Sequence, residues 1–127
     1  MTLSTIDFSK TQSFQALSED RNRLSSIQLK ALFEQDLNRQ ERFSLLDQDI
    51  FLDYSKNIID EATFSHLVAL AEECGLKDAI KAQYTGAKIN QNENRAVLHT
   101  ALRAKPTTSI IVDGDNIIPA IQAVKAH

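Results

Sequence analysis

The spacing of apolar residues changes from helical to alternating and back to helical along the chain, and this change limits the folds open to it. Leu29, Leu32 and Phe33 recur at helical spacing. Over residues 50–54, positions 50, 52 and 54 are apolar and alternate onto one face, which predicts a strand. Helical spacing returns from Asp60 onward. The pattern therefore predicts a mainly α fold with a small β-hairpin, in the α+β class.

The predicted elements follow from this spacing together with turn and cap residues. Ser26 is a potential N-cap, and Asn90 with Glu93 resembles a capping box. Helices are predicted over about residues 12–21, 27–37, 60–74, 76–84, 91–103 and 117–127. The hairpin is predicted to pair Phe43–Leu46 with Ile50–Tyr54 across Asp47-Gln48-Asp49, Ser109–Val112 is expected to be extended, and residues 1–10 are expected to be a loosely ordered lead-in.

The apolar side of each helix is expected to face the core. These residues are Phe14 and Leu17; Leu29, Leu32, Phe33 and Leu37; Phe64, Leu67, Val68, Ala71 and Cys74; Ala79, Ile80 and Tyr84; Val97, Leu98, Ala101 and Leu102; and Ile117, Ile121 and Val124. The last helix reaches His127 without a cap or breaker. We therefore expect the sequence to be cut within a larger protein.

Length and charge set the class of protein. The 127 residues suit one domain, and no linker or repeat divides them, so residues 1–127 are expected to form a single unit. Net charge is −3 with both signs interspersed, which gives no reason to expect nucleic acid or a membrane as partner. No signal peptide or long apolar run occurs, and the only cysteine is Cys74. These features favour a cytoplasmic protein without a disulfide.

The three glycines all have local roles. Gly75 and Gly86 follow helical patterns and are predicted to be left-handed helix caps. Gly114 lies in Val112-Asp113-Gly114-Asp115, which is typical of a turn. No glycine remains for a loop that binds phosphate through its backbone.

Arg95, His99 and Arg103 are the candidate ligand-binding residues. Their spacing of four residues places them on one side of the predicted 91–103 helix, where they could face a sugar phosphate, with His99 moving a proton. A solvated or ion-paired helix flank explains the spacing equally, and no nearby carboxylate or hydroxyl completes an acid–base pair. We favour the helix flank and assign no catalytic residue.

Other polar residues point to structure rather than chemistry. In Asp53-Tyr54-Ser55-Lys56-Asn57, Lys56 could hold an anion, but a turn made by Ser55 and Asn57, with Asp53 and Lys56 in solvent, is favoured. His66 and His127 are dispersed and Cys74 is expected in the core, so no metal site is predicted.

Four sequence blocks together resemble the opening segment of the glucose-6-phosphate isomerase family. They are Asp53 to Asn57, Gly86 to Asn90, Glu93 to Arg103 and Val112 to Gly114, and the likeness spans Thr11 to His127. Two departures are visible, since Ala87 replaces a frequent glutamate and Ala104-Lys105 replaces a turn that usually contains asparagine. Both departures are expected at the surface.

The resemblance implies a larger parent enzyme with two α/β sugar-isomerase domains that acts as a homodimer. Such enzymes interconvert glucose 6-phosphate and fructose 6-phosphate through an enediol, without metal or organic cofactor. The family's catalytic histidine, lysine, glutamate and arginine and its phosphate loop lie beyond this chain, so none is carried onto a residue here. The resemblance thus implies an N-terminal scaffold, inactive alone, whose partner is the remainder of the isomerase chain.

A rival hypothesis is a free-standing binding module that holds a sugar phosphate or a protein without catalysis. The Arg95, His99 and Arg103 stripe would then be its binding surface. An unrelated helical interaction domain would require the four matching blocks to be coincidence.

Overall fold

The computed structural model describes residues 5–126, and the fold is mainly α with small antiparallel β pairs, as predicted. Its helices are α1 (Gln12–Leu24), α2 (Leu29–Gln35), α3 (Arg39–Arg42), α4 (Glu61–Glu73), α5 (Leu76–Tyr84) and α6 (Ile118–Lys125), and its strands are β1 (Ser44–Asp47), β2 (Ile50–Asp53), β3 (Ile111–Val112) and β4 (Asp115–Asn116). Short 3₁₀ helices cover Phe8–Lys10 and His99–Arg103. The expected lead-in at residues 1–10 lies partly outside the described residues, as does His127. No helix within residues 5–126 is long and apolar enough to cross a membrane.

Packing divides the described chain into two compact units, residues 7–73 and residues 74–126 with 5–6. The single unit over residues 1–127 stays a prediction, and each compact unit is described by itself below.

In the unit of residues 7–73, α1 packs against α4. Thr11 caps α1, since its hydroxyl oxygen accepts the Phe14 N–H at 3.2 Å. At the same end of α1, Ser13 donates its hydroxyl to Oε1 of Glu73, the last residue of α4, at 2.6 Å. Leu24 of α1 and Thr63 of α4 are buried. Helix α1 therefore continues past the predicted end at residue 21 to Leu24.

A polar network links the C-terminal half of α1 to the start of α4. Arg23 pairs with Asp20 at 2.6 Å and with Asp60 at 2.5 Å, and Asp20 also contacts His66 Nδ1 at 2.8 Å. Asp60 caps α4 by accepting the Thr63 N–H at 2.9 Å. The Arg23 guanidinium holds the pKa of the Asp60 carboxyl well below its ordinary value of 3.8, and it lowers the pKa of Asp20 as well.

The predicted stripe on α4 is not buried within this unit, so that prediction is wrong. Phe64, Leu67 and Val68 are exposed, and the buried position of α4 is Thr63. The physical reason is that α4 turns its polar side, with Thr63 and His66, toward the α1 network. The apolar side is left uncovered, apart from Phe64 stacking on Tyr54 at 5.5 Å.

Helix α2 begins and ends differently from the prediction. Its N-cap is Gln28 rather than Ser26, and no side chain caps it. It ends at Gln35, since Asp36 is extended and accepts the Asn38 N–H at 3.1 Å to form a turn. Leu37 therefore lies outside the helix and is 91% exposed instead of buried.

The predicted hairpin is confirmed. Strands β1 and β2 pair antiparallel with Ser44 opposite Asp53 and Asp47 opposite Ile50, so the turn is the dipeptide Gln48-Asp49. Gln48 has a positive φ of 52°, as tight hairpin turns require. The five apolar side chains of the two strands are 55–73% exposed, and they are Leu45, Leu46, Ile50, Phe51 and Leu52.

A buried arginine fixes the segment that follows the hairpin. Arg39, which is 2% exposed, donates Nε to the carbonyl of Ser55 and Nη2 to the carbonyls of Asn57 and Ile59, each at 2.8 Å. Its guanidinium lies 4.4 Å from the centre of the Phe43 ring, a cation–π distance. Within residues 5–126 no carboxylate pairs with Arg39, so these carbonyls and the aromatic ring are its stabilising partners.

In the unit of residues 74–126, glycines end and begin helices as predicted. Gly75 precedes α5 with φ 70°, and Gly86 follows it with φ 83°. A Cβ on Gly86 would meet the Ile111 carbonyl oxygen at 2.9 Å, so this position also needs glycine for close approach. Gly114 forms the turn between β3 and β4, and the extended run at Ile111–Val112 is confirmed.

The core of this unit is small and contains only part of the predicted stripes. Ala101, Ile110 and Ile118 are buried, and they contact Leu98, Ala104, Val112, Ile117 and Ile121. Helix α5 buries Ala82 rather than Ile80 or Tyr84, and Val124 of α6 is exposed. The exposed members, Ile80, Tyr84 and Val124, have no covering element among the described residues.

The Asp60 pair predicts acid sensitivity. A carboxyl whose pKa is lower in the folded state stabilises the fold above its ordinary value of 3.8, and this stabilisation is lost as pH falls below that value. The partner Arg23 is half-exposed, so Asp60→Asn should cost at most about 1 kcal/mol at neutral pH while retaining the cap oxygen. Urea unfolding from pH 7 to pH 2 should show a flatter acid limb for Asp60→Asn. Asp49→Asn, at the exposed hairpin tip, is the control, and equal slopes for the two variants would contradict the assignment.

Arg39→Lys tests the three carbonyl contacts. Lysine keeps the charge but not the planar fork, so buried carbonyls lose partners and the free energy of unfolding should fall by roughly 2–4 kcal/mol. Arg42→Lys is the matched control, because Arg42 is half-exposed and pairs with Asp36 and Glu61 at the surface. Denaturant unfolding of both variants measures the difference, and similar losses would refute a special role for Arg39.

Candidate functional site

The segment from Asn90 to Arg95 is a closed loop and not the start of a helix. The backbone N–H of each end donates to the carbonyl of the other at 3.1 Å. The capping-box contacts form within it, since Asn90 Oδ1 accepts the Glu93 N–H and Nδ2 donates to Glu93 Oε2, both at 3.2 Å. Asn94 then adopts a positive φ of 51°, which no helix continues through. The predicted 91–103 helix is therefore wrong.

Residues 96–98 run on without helix, and His99–Arg103 forms one 3₁₀ helix. Ala101, at 0% exposure, anchors this short helix in the core with Ile110 and Ile118. Lys125 Nζ donates to the carbonyl of Leu102 at 3.1 Å, which satisfies one group at the helix end. Leu102 itself is exposed instead of buried.

The three candidate residues are divided between two concavities. Arg95 and His99 line an open concavity of about 490 Å³, together with Asn90, Glu93, Ala96, Val97, Leu98 and Leu102. Arg103 lines a separate one of about 300 Å³ with Tyr84, Thr100, Ala104, Thr108 and Ile110. Without a continuous helix the i, i+4, i+8 geometry is lost, so the predicted common side for all three residues is wrong, and only Arg95 and His99 come together.

The larger concavity has mixed chemistry. Arg95 offers a fixed positive charge and His99 a titratable ring, while the Glu93 carboxylate lines the same space and offsets the positive charge. Within residues 5–126, His99 has no hydrogen-bond or ion-pair partner that would orient it as an acid or base. The larger concavity suits an anion or a polar small molecule, and its described residues form no positioned proton-transfer pair.

The Asp53–Asn57 segment is a turn, as favoured from the sequence. Asp53 Oδ1 accepts the Ser55 N–H at 2.9 Å and the Ser55 hydroxyl at 2.6 Å, and the hydroxyl lowers the pKa of Asp53. Lys56 is exposed and reaches the other Asp53 oxygen at 3.4 Å. Asp53 therefore shapes the turn rather than simply facing solvent, and Lys56 is held by this carboxylate.

Two residues have environments that the sequence does not predict. Arg39 fixes the Asp53–Asn57 turn by donating to the Ser55 and Asn57 carbonyls, but nothing in the local pattern separates it from exposed Arg42. Thr100 carries a buried hydroxyl that has no hydrogen-bond partner among residues 5–126, and it follows a histidine in a stretch whose pattern predicts a helix. Long-range packing determines both environments, so no local signal identifies them.

Metal binding is not supported by any cluster in the described part of the chain. Residues 5–126 contain no group of three or more histidine, cysteine, aspartate or glutamate side chains arranged to hold an ion. Cys74 is partly buried and has a free thiol.

Comparison with known proteins gives one family. A family model described as phosphoglucose isomerase matches residues 53–127, which include the Asp53–Asn57 turn and both concavities. The glucose-6-phosphate isomerase of Wigglesworthia glossinidia brevipalpis is 48% identical over 123 residues, covering 96% of this chain and 22% of that relative. The chain thus spans about a fifth of the length of the curated relative it matches, and the resemblance found in the sequence is confirmed. This chain belongs to the phosphoglucose isomerase family.

Proposed function

We propose that this chain is the N-terminal scaffold segment of a glucose-6-phosphate isomerase. The observation that carries the proposal is the match itself, since 96% of the chain aligns with only 22% of a protein of that name. The intact enzyme would interconvert glucose 6-phosphate and fructose 6-phosphate through an enediol, and the reactive groups would be supplied by the remainder of the polypeptide.

The chemistry of the described residues supports a scaffold role. Acid–base isomerisation needs a positioned proton carrier, and His99 has no partner within residues 5–126 that would position it. Arg39 and Asp53 are instead hydrogen-bonded to the backbone of the turn at residues 53–57. We infer that these residues stabilise the scaffold and do not meet substrate.

The proposal extends to the setting of the intact enzyme. It would act in the cytoplasm as a homodimer, require neither metal nor organic cofactor, and serve carbohydrate metabolism. The remainder of the isomerase chain, with its α/β domains, would be the partner of this segment, while the sugar phosphate would be the substrate of the whole enzyme. Nucleic acid and membrane are not proposed as partners.

The 127-residue chain alone should not catalyse the isomerisation. Purified chain is mixed with fructose 6-phosphate, and formation of glucose 6-phosphate is followed through a coupled dehydrogenase. The rate should equal that of the uncatalysed blank, because His99, the histidine of the candidate concavity, has no partner within residues 5–126 that would position it as an acid or base. Turnover that rises with the concentration of this chain and survives removal of metal by a chelator would contradict the proposal.

A second candidate function is a non-catalytic sugar-phosphate or protein binding module. One observation favours it, namely that Arg95 and His99 line the same concavity of about 490 Å³. A phosphate could pair with the Arg95 guanidinium there. The Glu93 carboxylate in that concavity opposes such binding, and for this reason we rank this function second.

Calorimetric titration with glucose 6-phosphate separates the two functions. The scaffold proposal predicts no saturable heat for the 127-residue chain, either as wild type or as Arg95→Ala. Arg103→Ala is the matched control, because Arg103 lines the other concavity. Saturable binding that Arg95→Ala abolishes and Arg103→Ala retains would support the binding module instead.

A further inference from the structure

The β1–β2 hairpin has an apolar surface on both of its faces. Leu46 stands opposite Phe51, and Leu45 stands opposite Leu52. Successive side chains of a strand point to opposite faces, so these two pairs lie on different faces of the hairpin. Ile50 adds to the face of Leu52. All five side chains are exposed, so neither face is covered by the described residues of its unit.

Such a hairpin is unusual for a surface element. A surface strand pair commonly has one apolar and one polar face, whereas apolar residues on both faces are typical of strands buried on both sides. An isolated two-stranded hairpin is also only marginally stable in water and needs packing against other elements. The sequence of this hairpin therefore fits an element that is enclosed on both sides.

The polar residues of the hairpin indicate which part of it should remain in solvent. Asp47, Gln48 and Asp49 form its tip, and Gln48 and Asp49 are the turn residues. Burying unpaired carboxylates is costly, so the tip is expected to stay in solvent while the strands are covered. At the base of the hairpin, Arg39 and Phe43 already fix the chain.

We propose that the polypeptide following residue 127 in the intact isomerase packs against both faces of this hairpin. The inference rests on the proposed function and adds to it the surface by which the segment joins the rest of the enzyme. The length of the relative supports this occupant, since the match to this chain covers only 22% of that protein. A second copy is a poorer fit, because a two-fold contact through one patch covers one face and leaves the other in water.

The hairpin is tested in the intact isomerase chain with single cysteines at three positions. Leu46→Cys and Leu52→Cys probe the two faces, and Gln48→Cys at the tip is the matched control, all in a background without other cysteines. Both face thiols should react with a soluble maleimide about 100-fold more slowly than the tip thiol, because they become accessible only through local opening. A rate at either face within about threefold of the tip rate would overturn the proposal.

The same labelling identifies the occupant. Protection by the enzyme's own chain should persist when the subunits are dissociated by dilution, whereas protection by a second copy should disappear. Loss of protection on dissociation would therefore overturn the proposal in favour of a dimer contact. Isomerase turnover is measured on the wild-type preparation, so an inactive protein with protected faces would count against the proposed function and leave the hairpin inference standing.

If the cysteine variants do not fold, a measurement on the wild-type protein still tests the proposal. Hydroxyl-radical footprinting of the wild-type intact chain should oxidise Phe51 at least about tenfold more slowly than a short peptide of the same local sequence, since buried side chains are shielded from solvent. Oxidation at the rate of the peptide would overturn the proposal.

Discussion

The three hydrogen bonds of Arg39 are the interaction on which the unit of residues 7–73 depends most. They join α3 to the carbonyls of Ser55, Asn57 and Ile59, and so fix the path of the chain from the hairpin to α4. A buried guanidinium without a carboxylate partner is stable only if its donors meet acceptors, and here backbone carbonyls and the Phe43 ring fill that role. The arginine and the turn are therefore mutually dependent.

This dependence explains why the polar Asp53–Asn57 segment looks like a site but forms a turn. Asp53 closes the turn by accepting the Ser55 hydroxyl, and Arg39, which lies outside the turn, donates to the carbonyl of Ser55. Residue types that serve catalysis elsewhere are satisfied here by one another and by backbone. The proposed scaffold function is consistent with this arrangement, since a scaffold needs fixed geometry more than free reactive groups.

Local signals predicted much of the fold. The hairpin followed from alternation and a polar turn, and Gly75 and Gly86 were predicted as left-handed caps because few other residues adopt positive φ. The 91–103 helix failed because the capping-box contacts of Asn90 and Glu93 close a loop just as well as they start a helix. That choice is made by Asn94 and by the burial of Ala101, which depend on tertiary contacts.

The burial predicted for the apolar stripe of α4 is wrong for a different reason. On α4 the period was correct, but Phe64, Leu67 and Val68 have no covering element in their unit. Sequence periodicity identifies a side that must be buried without saying what buries it. The candidate site shared this weakness, because the common side of Arg95, His99 and Arg103 existed only if the helix did. The environments of Arg39 and Thr100 could not be predicted from neighbouring residues, since they are assembled from residues distant in the sequence.

Fragment complementation shows whether this chain is an indispensable scaffold without chemistry of its own. The 127 residues and the remainder of the isomerase are expressed as two polypeptides, and hexose-phosphate isomerisation is measured for each alone and for the two together. We expect turnover only when both are present, with a stable complex that co-purifies. Full turnover by the remainder alone would contradict it, as would any turnover by the 127 residues alone.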